Sequence, residues 1–133
     1  MQPLDGKIFK ILILDDNILY RNNLATSLRL QGFPVEFATG GFHVLHILES
    51  YNEYSLLIIH EHTHDMPAEE VISLVRTNHD KAILPILFIS QDTDINEIRD
   101  MIQLGANEYI VKTPNTQPIV EKAKKYQNIF NNS

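Results

Sequence analysis

Residues 60–65 read His-Glu-His-Thr-His-Asp, so three imidazoles alternate with other side chains. In an extended segment they fall on one side, an arrangement that could gather zinc, nickel or copper, with Asp15 or Asp16 adding a carboxylate. The plainer reading puts His62 and His64 on a solvated loop and turns only His60 inward, because the spacing matches no established metal motif. His43 and His46, one turn apart, read as surface residues, and His79 carries no signal. The other residues able to do chemistry stand at the ends of apolar runs. Asp15-Asp16 follows residues 8–14, His60 closes residues 54–60, Ser90 follows residues 86–89, and Lys112 follows residues 109–111. Taken alone, the acidic pair could be no more than favourable charge at the start of a helix.

The elements that must position these residues follow from pattern. Residues 11–14 (ILIL) form a continuous apolar run, as expected for a strand buried on both faces of a parallel sheet. Asn17 can cap the next helix and Gly32 can end it in a left-handed conformation, with Leu24 and Leu28 facing inward. Residues 34–38 form a second strand. Gly40-Gly41 opens a helix with Val44, Leu45 and Leu48 on one face. Residues 56–59 form the third strand, and a helix from about Ala68 carries Val71, Ile72 and Val75. Residues 86–89 form the fourth strand. Thr93 or Asp94 caps a helix with Ile95, Ile98, Met101 and Ile102 inward, ended by Gly105-Ala106. Residues 108–111 form the fifth strand, and Ile119, Ala123, Tyr126 and Phe130 stripe a last helix. Five strands alternating with five helices imply an α/β fold with a doubly wound, five-stranded parallel sheet between helical layers. The expectation is one domain over residues 1–133, with the fold proper at 8–130 and a frayed tail at 131–133.

Composition narrows the function classes. The 133 residues fit one domain, and 44% apolar residues suffice for a buried core. There is no cysteine, hence no disulfide framework and no thiolate metal site. A formal charge of −6 argues against nucleic acid as a direct partner, and Lys122, Lys124 and Lys125 read as a solvated face. MQPLDGK has no signal-peptide pattern, and no apolar run approaches the ~20 residues of a membrane span. A cytoplasmic location without membrane contact is therefore expected.

In order along the chain, ILILDDN (11–17), the strand ending at His60, ILPILFIS (83–90), Gly105-Ala106 and YIVK (109–112) resemble the bacterial response-regulator receiver domain, the CheY-like form of the flavodoxin-like fold. The likeness covers nearly the whole chain. It implies that Asp15 and Asp16 hold Mg²⁺, that Lys112 pairs with a phosphoryl group, that Ser90 hydrogen-bonds it, and that Tyr109 is the aromatic of a switch. Hard oxygen ligands, a cation and a hydroxyl are what phosphoryl transfer to a carboxylate requires.

The departures cluster around the acceptor. The family's strand ends in an aspartate, where this chain has His60. The Met-Pro or Leu-Pro and Asp-Gly pairs that follow in the family fall here on Thr63-His64 and Pro67-Ala68. Using Met66-Pro67 instead shifts Thr63 to the acceptor position, still not an aspartate. Glu61 is the nearest carboxylate, but neighbouring strand residues face opposite sides. Gln91 replaces a small residue, and Thr113 stands where the family's proline follows the lysine, which puts its cis bond in doubt, with Pro114 one residue late. These features lead us to expect a pseudo-receiver that binds a signalling protein, such as a histidine kinase or a downstream effector, without phosphorylation. The resemblance places the contact face on the fourth helix, fifth strand and last helix, with Glu97, Tyr109, Lys122 and Tyr126 as contacts. Mg²⁺ binding is expected to be weak or absent, and no enzymatic activity is expected. The alternatives are a phosphorylatable receiver using His60 and a metal-responsive module using Asp16, His60, His62 and His64. With Asp15 and Asp16 beside it, His60 is expected to be protonated, its pKa above ~6.5.

Overall fold

A computed structural model describes residues 8–51 and 53–132. The MQPLDGK segment and Ser133 lie outside the described residues. The chain runs β1 (Ile11–Leu14), α1 (Ile18–Leu30), β2 (Val35–Ala38), α2 (Gly41–Ser50), β3 (Leu56–His60), α3 (Ala68–Arg76), β4 (Ile86–Ser90), α4 (Ile95–Leu104), β5 (Glu108–Val111), α5 (Gln117–Asn131). The strands form one parallel sheet in the order β2-β1-β3-β4-β5.

The apolar runs explain the layers. Every residue of β1, β3 and β4 is buried, as three central strands covered on both faces require. Ile11, Ile13, Leu56, Ile58, Leu87 and Ile89 face α1 and α5, where Leu24, Leu28, Ile119 and Ala123 meet them. Leu12, Leu14, Leu57, Ile59, Ile86 and Phe88 face α2, α3 and α4. Each such Leu or Ile contributes about 1.5–3 kcal/mol when fully buried. The strand order reverses between β1 and β3, so the cleft beyond their carboxyl ends is where this architecture binds ligands. Asp15 and His60 stand there.

Local signals position the helices that frame the cleft. Asn17 accepts the Tyr20 amide at 3.0 Å and caps α1. Gly32, at φ 91°, ends it, with its amide on the Arg29 carbonyl and the Phe33 amide on the Leu28 carbonyl. Asp94 caps α4 through the Asn96 amide. The N-terminus of α2 has no cap of its own. Asp65 supplies one from the loop after β3, accepting from the Gly41 and Phe42 amides at 2.8 and 3.1 Å. Gly40 is needed for that approach, because a Cβ there would lie 2.7 Å from the Asp65 carboxylate.

Two expectations about packing fail. Ile95 is 65% exposed, because it is the first residue of α4, at the open end of the sheet. Met101 is the one fully buried residue of that helix, against four in α1. The tail is not frayed at residue 131. Asn131 closes α5, and Asn132 returns its amide to Asn128 and Ile129 and its side-chain amide to the Asn128 carbonyl. No cis peptide bond occurs among the described residues, including the one before Pro114.

Candidate functional site

The sheet divides the site residues into two groups. His60 pairs with Ile89 across β3 and β4, so its side chain shares the α1/α5 face with Ile58 and Ile89. It is only 2% exposed. Its Nδ1 accepts the His62 amide at 3.3 Å, which assigns the proton of the neutral ring to Nε2, a buried atom without a partner. Asp15 is buried beside it, with Oδ1 3.8 Å from His60 Nδ1 and accepting the Asn17 amide, while Oδ2 has no partner. Lys112 places its Nζ 4.5 Å from the Tyr20 ring centroid, a cation–π contact. Tyr20 in turn lies 6.2 Å, ring to ring, from His60. Asp16 turns outward, with Oδ1 3.3 Å from His64 Nδ1.

His60 is not an imidazolium. Burial, reinforced by Lys112, pushes its pKa down from 6.5 to about 4, against the pull of Glu61 and Asp16. The expectation of a raised pKa failed because burial, with Lys112, outweighs the neighbouring carboxylates. Burial raises the pKa of Asp15, and Asp16 turns away toward the loop. The contact with Asp15 is therefore not an ion pair at neutral pH. Unfolded, the imidazole takes up a proton near 6.5, and folded only near 4. The unfolded state binds more protons in that window, so this contribution is full above 6.5 and is lost as pH falls toward 4. Its size is on the order of 3 kcal/mol. The raised pKa of Asp15 acts with the opposite sign at the acid end, and lowered His79 acts with the same sign as His60. Urea unfolding across the window should therefore show a shallower pH dependence in His60→Gln than in the wild type. A wild type more stable at mildly acidic than at neutral pH would instead restore a charged His60.

Glu61, Ser90 and Tyr109 make up the second group, on the α2/α3/α4 side. The Glu61 amide bonds the Ile89 carbonyl at 2.9 Å, and this parallel register sets its side chain beside Ser90. Ser90 donates its hydroxyl to Glu61 Oε2 at 2.6 Å, and the Gln91 amide donates to Oε1 at 2.9 Å. Burial opposes the charge on Glu61, but those two bonds hold its pKa below the usual value. Ser90 Oγ also accepts the Asp92 amide at 3.0 Å, and the Tyr109 hydroxyl donates to the Asp92 carbonyl at 2.7 Å. The Tyr109 ring packs on Phe88 with centroids 5.5 Å apart. The sequence reading was right that Glu61 faces away from His60. It missed that Ser90 lies on that same far side. The His60–Ile89 register that decides it is set by packing between the strands and is not written in either strand alone.

Of the metal candidates, only His60 enters the pocket, while His62 and His64 project into solvent. Among the described residues, no three His, Asp or Glu side chains converge to hold an ion. The donor set does not fit Mg²⁺ either, since one carboxylate is buried, the other turns outward and the third group is a nitrogen base. On the expected contact face, Glu97 and Tyr109 are partly exposed. Lys122 pairs with Glu108 at 3.2 Å. Tyr126 is instead buried, its hydroxyl bonded to Glu108 at 2.7 Å, because its ring completes the α5 stripe. Burial works against the Glu108 charge, but Lys125, Tyr126 and Lys122 together bring its pKa down to about 2.

Known proteins place this arrangement. Residues 11–124 match the response regulator receiver domain family. The chain is 30% identical over 117 residues to the chemotaxis protein CheY of Pseudomonas aeruginosa, covering 87% of this chain and 94% of that protein. It is 27% identical over 115 residues to the aerobic respiration control protein ArcA of Escherichia coli strain K12, covering 86% of this chain and 46% of ArcA, so it spans about half the length of that relative. The high-resolution structure of the chemotaxis response regulator CheY4 of Vibrio cholerae superposes with a TM-score of 0.81 at 22% identity, covering 90% of this chain and 99% of that one. The order and register of the five strands, the acidic pair after β1, Ser90 after β4 and Lys112 after β5 thus belong together, and the chain is a member of the response regulator receiver family, a domain of two-component signalling.

Proposed function

We propose that this domain is a pseudo-receiver, a protein–protein interaction module whose signalling does not pass through a phosphoaspartate. The observation that carries this reading is the end of β3. A neutral, buried imidazole stands where the family resemblance expects an acceptor carboxylate. On the opposite face of the same strand end, the Glu61 carboxylate holds the Ser90 hydroxyl and the Gln91 amide. Mg²⁺ affinity is correspondingly weak, for want of a third oxygen ligand. The partner is a signalling protein, a histidine kinase or a downstream effector, and it docks on α4, β5 and α5. Glu97, Tyr109 and Lys122 are the contacts, with Ile95, Leu104 and Val111 supplying exposed apolar surface. Tyr126 contributes from beneath, by fixing Glu108.

Incubation with acetyl phosphate and Mg²⁺, followed by intact-mass measurement, should return the unmodified mass. An added phosphoryl mass that disappears in His60→Ala would replace this reading with a receiver that uses a histidine acceptor.

A further inference from the structure

We propose that Glu61 is a tethered anion that permanently fills an oxyanion site built by the Ser90 hydroxyl and the Gln91 amide, and that its carboxylate holds the β4–α4 loop and Tyr109 in one arrangement. The inference deepens the phosphorylation-independent reading and rests on it, because it says what occupies the place of the transferred group.

The geometry is that of a ligand in a site. Two donors of different origin, one hydroxyl and one backbone amide, converge on the two oxygens of a single carboxylate at 2.6 and 2.9 Å. Bonds of this kind to a charged acceptor are short and strong. A hydroxyl and an amide aimed at one point are also what a tetrahedral oxyanion such as phosphate or sulfate would use. The site is therefore competent for such an ion and occupied by the chain itself. Glu61 reaches it because β3 and β4 run in parallel with His60 opposite Ile89, which leaves one strand spacing of ~4.8 Å for the next side chain to cross. An aspartate is one methylene shorter.

Occupancy has a consequence further along the chain. Ser90 Oγ donates to Glu61 and accepts from the Asp92 amide. The Asp92 carbonyl accepts the Tyr109 hydroxyl. An unbroken relay thus runs from the Glu61 carboxylate through Ser90 and Asp92 to Tyr109 on the outer strand. The Asp92 carboxylate also accepts the Asp94 amide, which ties the relay to the cap of α4. Removing the anion leaves Ser90 and Gln91 with free donors and takes away the acceptor that orients the hydroxyl.

The test is heteronuclear NMR on the whole chain, with inorganic phosphate as the probe, in wild type, Glu61→Gln and Glu61→Ala. In the wild type, phosphate should leave the Gln91 and Asp92 amides in place. In Glu61→Ala, these amides and the Tyr109 ring signals should move, and phosphate should return them toward wild-type positions in a saturable way. Glu61→Gln keeps the shape but sets an amide donor against one of the two donors, so the same signals should move even if Glu61→Ala does not fold. Tyr109 signals unchanged in the variants, a Glu61→Ala signal set indifferent to phosphate, or a wild type that responds to phosphate as strongly as Glu61→Ala would each overturn the proposal. A phosphoryl adduct on the wild type would count against the phosphorylation-independent reading instead, and mass spectrometry sees it separately.

Discussion

Replacing His60 by aspartate should cost the metal-free domain about 3 kcal/mol and make its stability depend on Mg²⁺. The new carboxylate would lie beside Asp15, which is already buried, lacks a partner for Oδ2 and has its pKa raised by burial. Two carboxylates in such a place cannot both ionise without penalty, so the pair would share a proton and titrate as a unit. Aspartate is also smaller than histidine and leaves space against Tyr20, which adds a cavity cost. Lys112 now lies over the Tyr20 ring and could turn toward the new charge, offsetting part of the loss. A divalent cation offsets more, since two carboxylates at the mouth of β1 and β3 supply the hard oxygens that one carboxylate and an imidazole do not. Stability should rise with Mg²⁺ by mass action in the variant and hardly at all in the wild type. Urea titrations with and without the metal measure both. A wild type that gains as much as His60→Asp would mean that His60 does not stand at a metal position.

Arg76→Met should destabilise the domain by about 3 kcal/mol, and Arg76→Lys should recover no more than a minor part of that. From the end of α3, the Arg76 guanidinium donates to the carbonyls of Gly105, His79 and Leu84 and to Asn107 Oδ1, at 2.8–2.9 Å. Asn107 Oδ1 also accepts the Ile86 amide, so one side chain joins the start of β4 to the turn before β5. Gly105, at φ 135°, permits this approach, because a Cβ there would meet Arg76 Cγ at 2.5 Å. Methionine fills similar volume but strands these acceptors, and a lysine ammonium cannot reproduce a planar fork with five donors. Equilibrium unfolding of both variants checks the claim. An Arg76→Lys midpoint equal to the wild type would show that the fork contributes little.

The order of elements was legible because β1, β3 and β4 are short apolar runs closed by a polar residue, and because Asn17, Gly32 and Asp94 mark helix ends chemically. Membership of the pocket was legible for Asp15, His60 and Lys112, since all follow strands that end at one edge of the sheet. Their charge states were not, because pKa depends on burial and orientation, and the chain does not show that Asp16 turns toward His64. Ser90 was misplaced for a related reason. Alternation along one strand is a local rule, but which residue of β4 stands beside which residue of β3 is set by packing across the core. Tyr126 shows the same limit. A tyrosine in a helical stripe reads equally as core or rim, and only Glu108 on the neighbouring strand decides between them.

The division of the site by the sheet also bears on what phosphorylation would require. On the proposed reading, aspartyl phosphorylation of this domain would need two changes on opposite faces of one strand end. A carboxylate at position 60 alone would meet a hydroxyl and an amide already engaged by Glu61. Loss of Glu61 alone would free those donors without supplying a nucleophile. On the proposed reading the two positions are therefore coupled, and a change at either one alone does not open the site to a phosphoryl group.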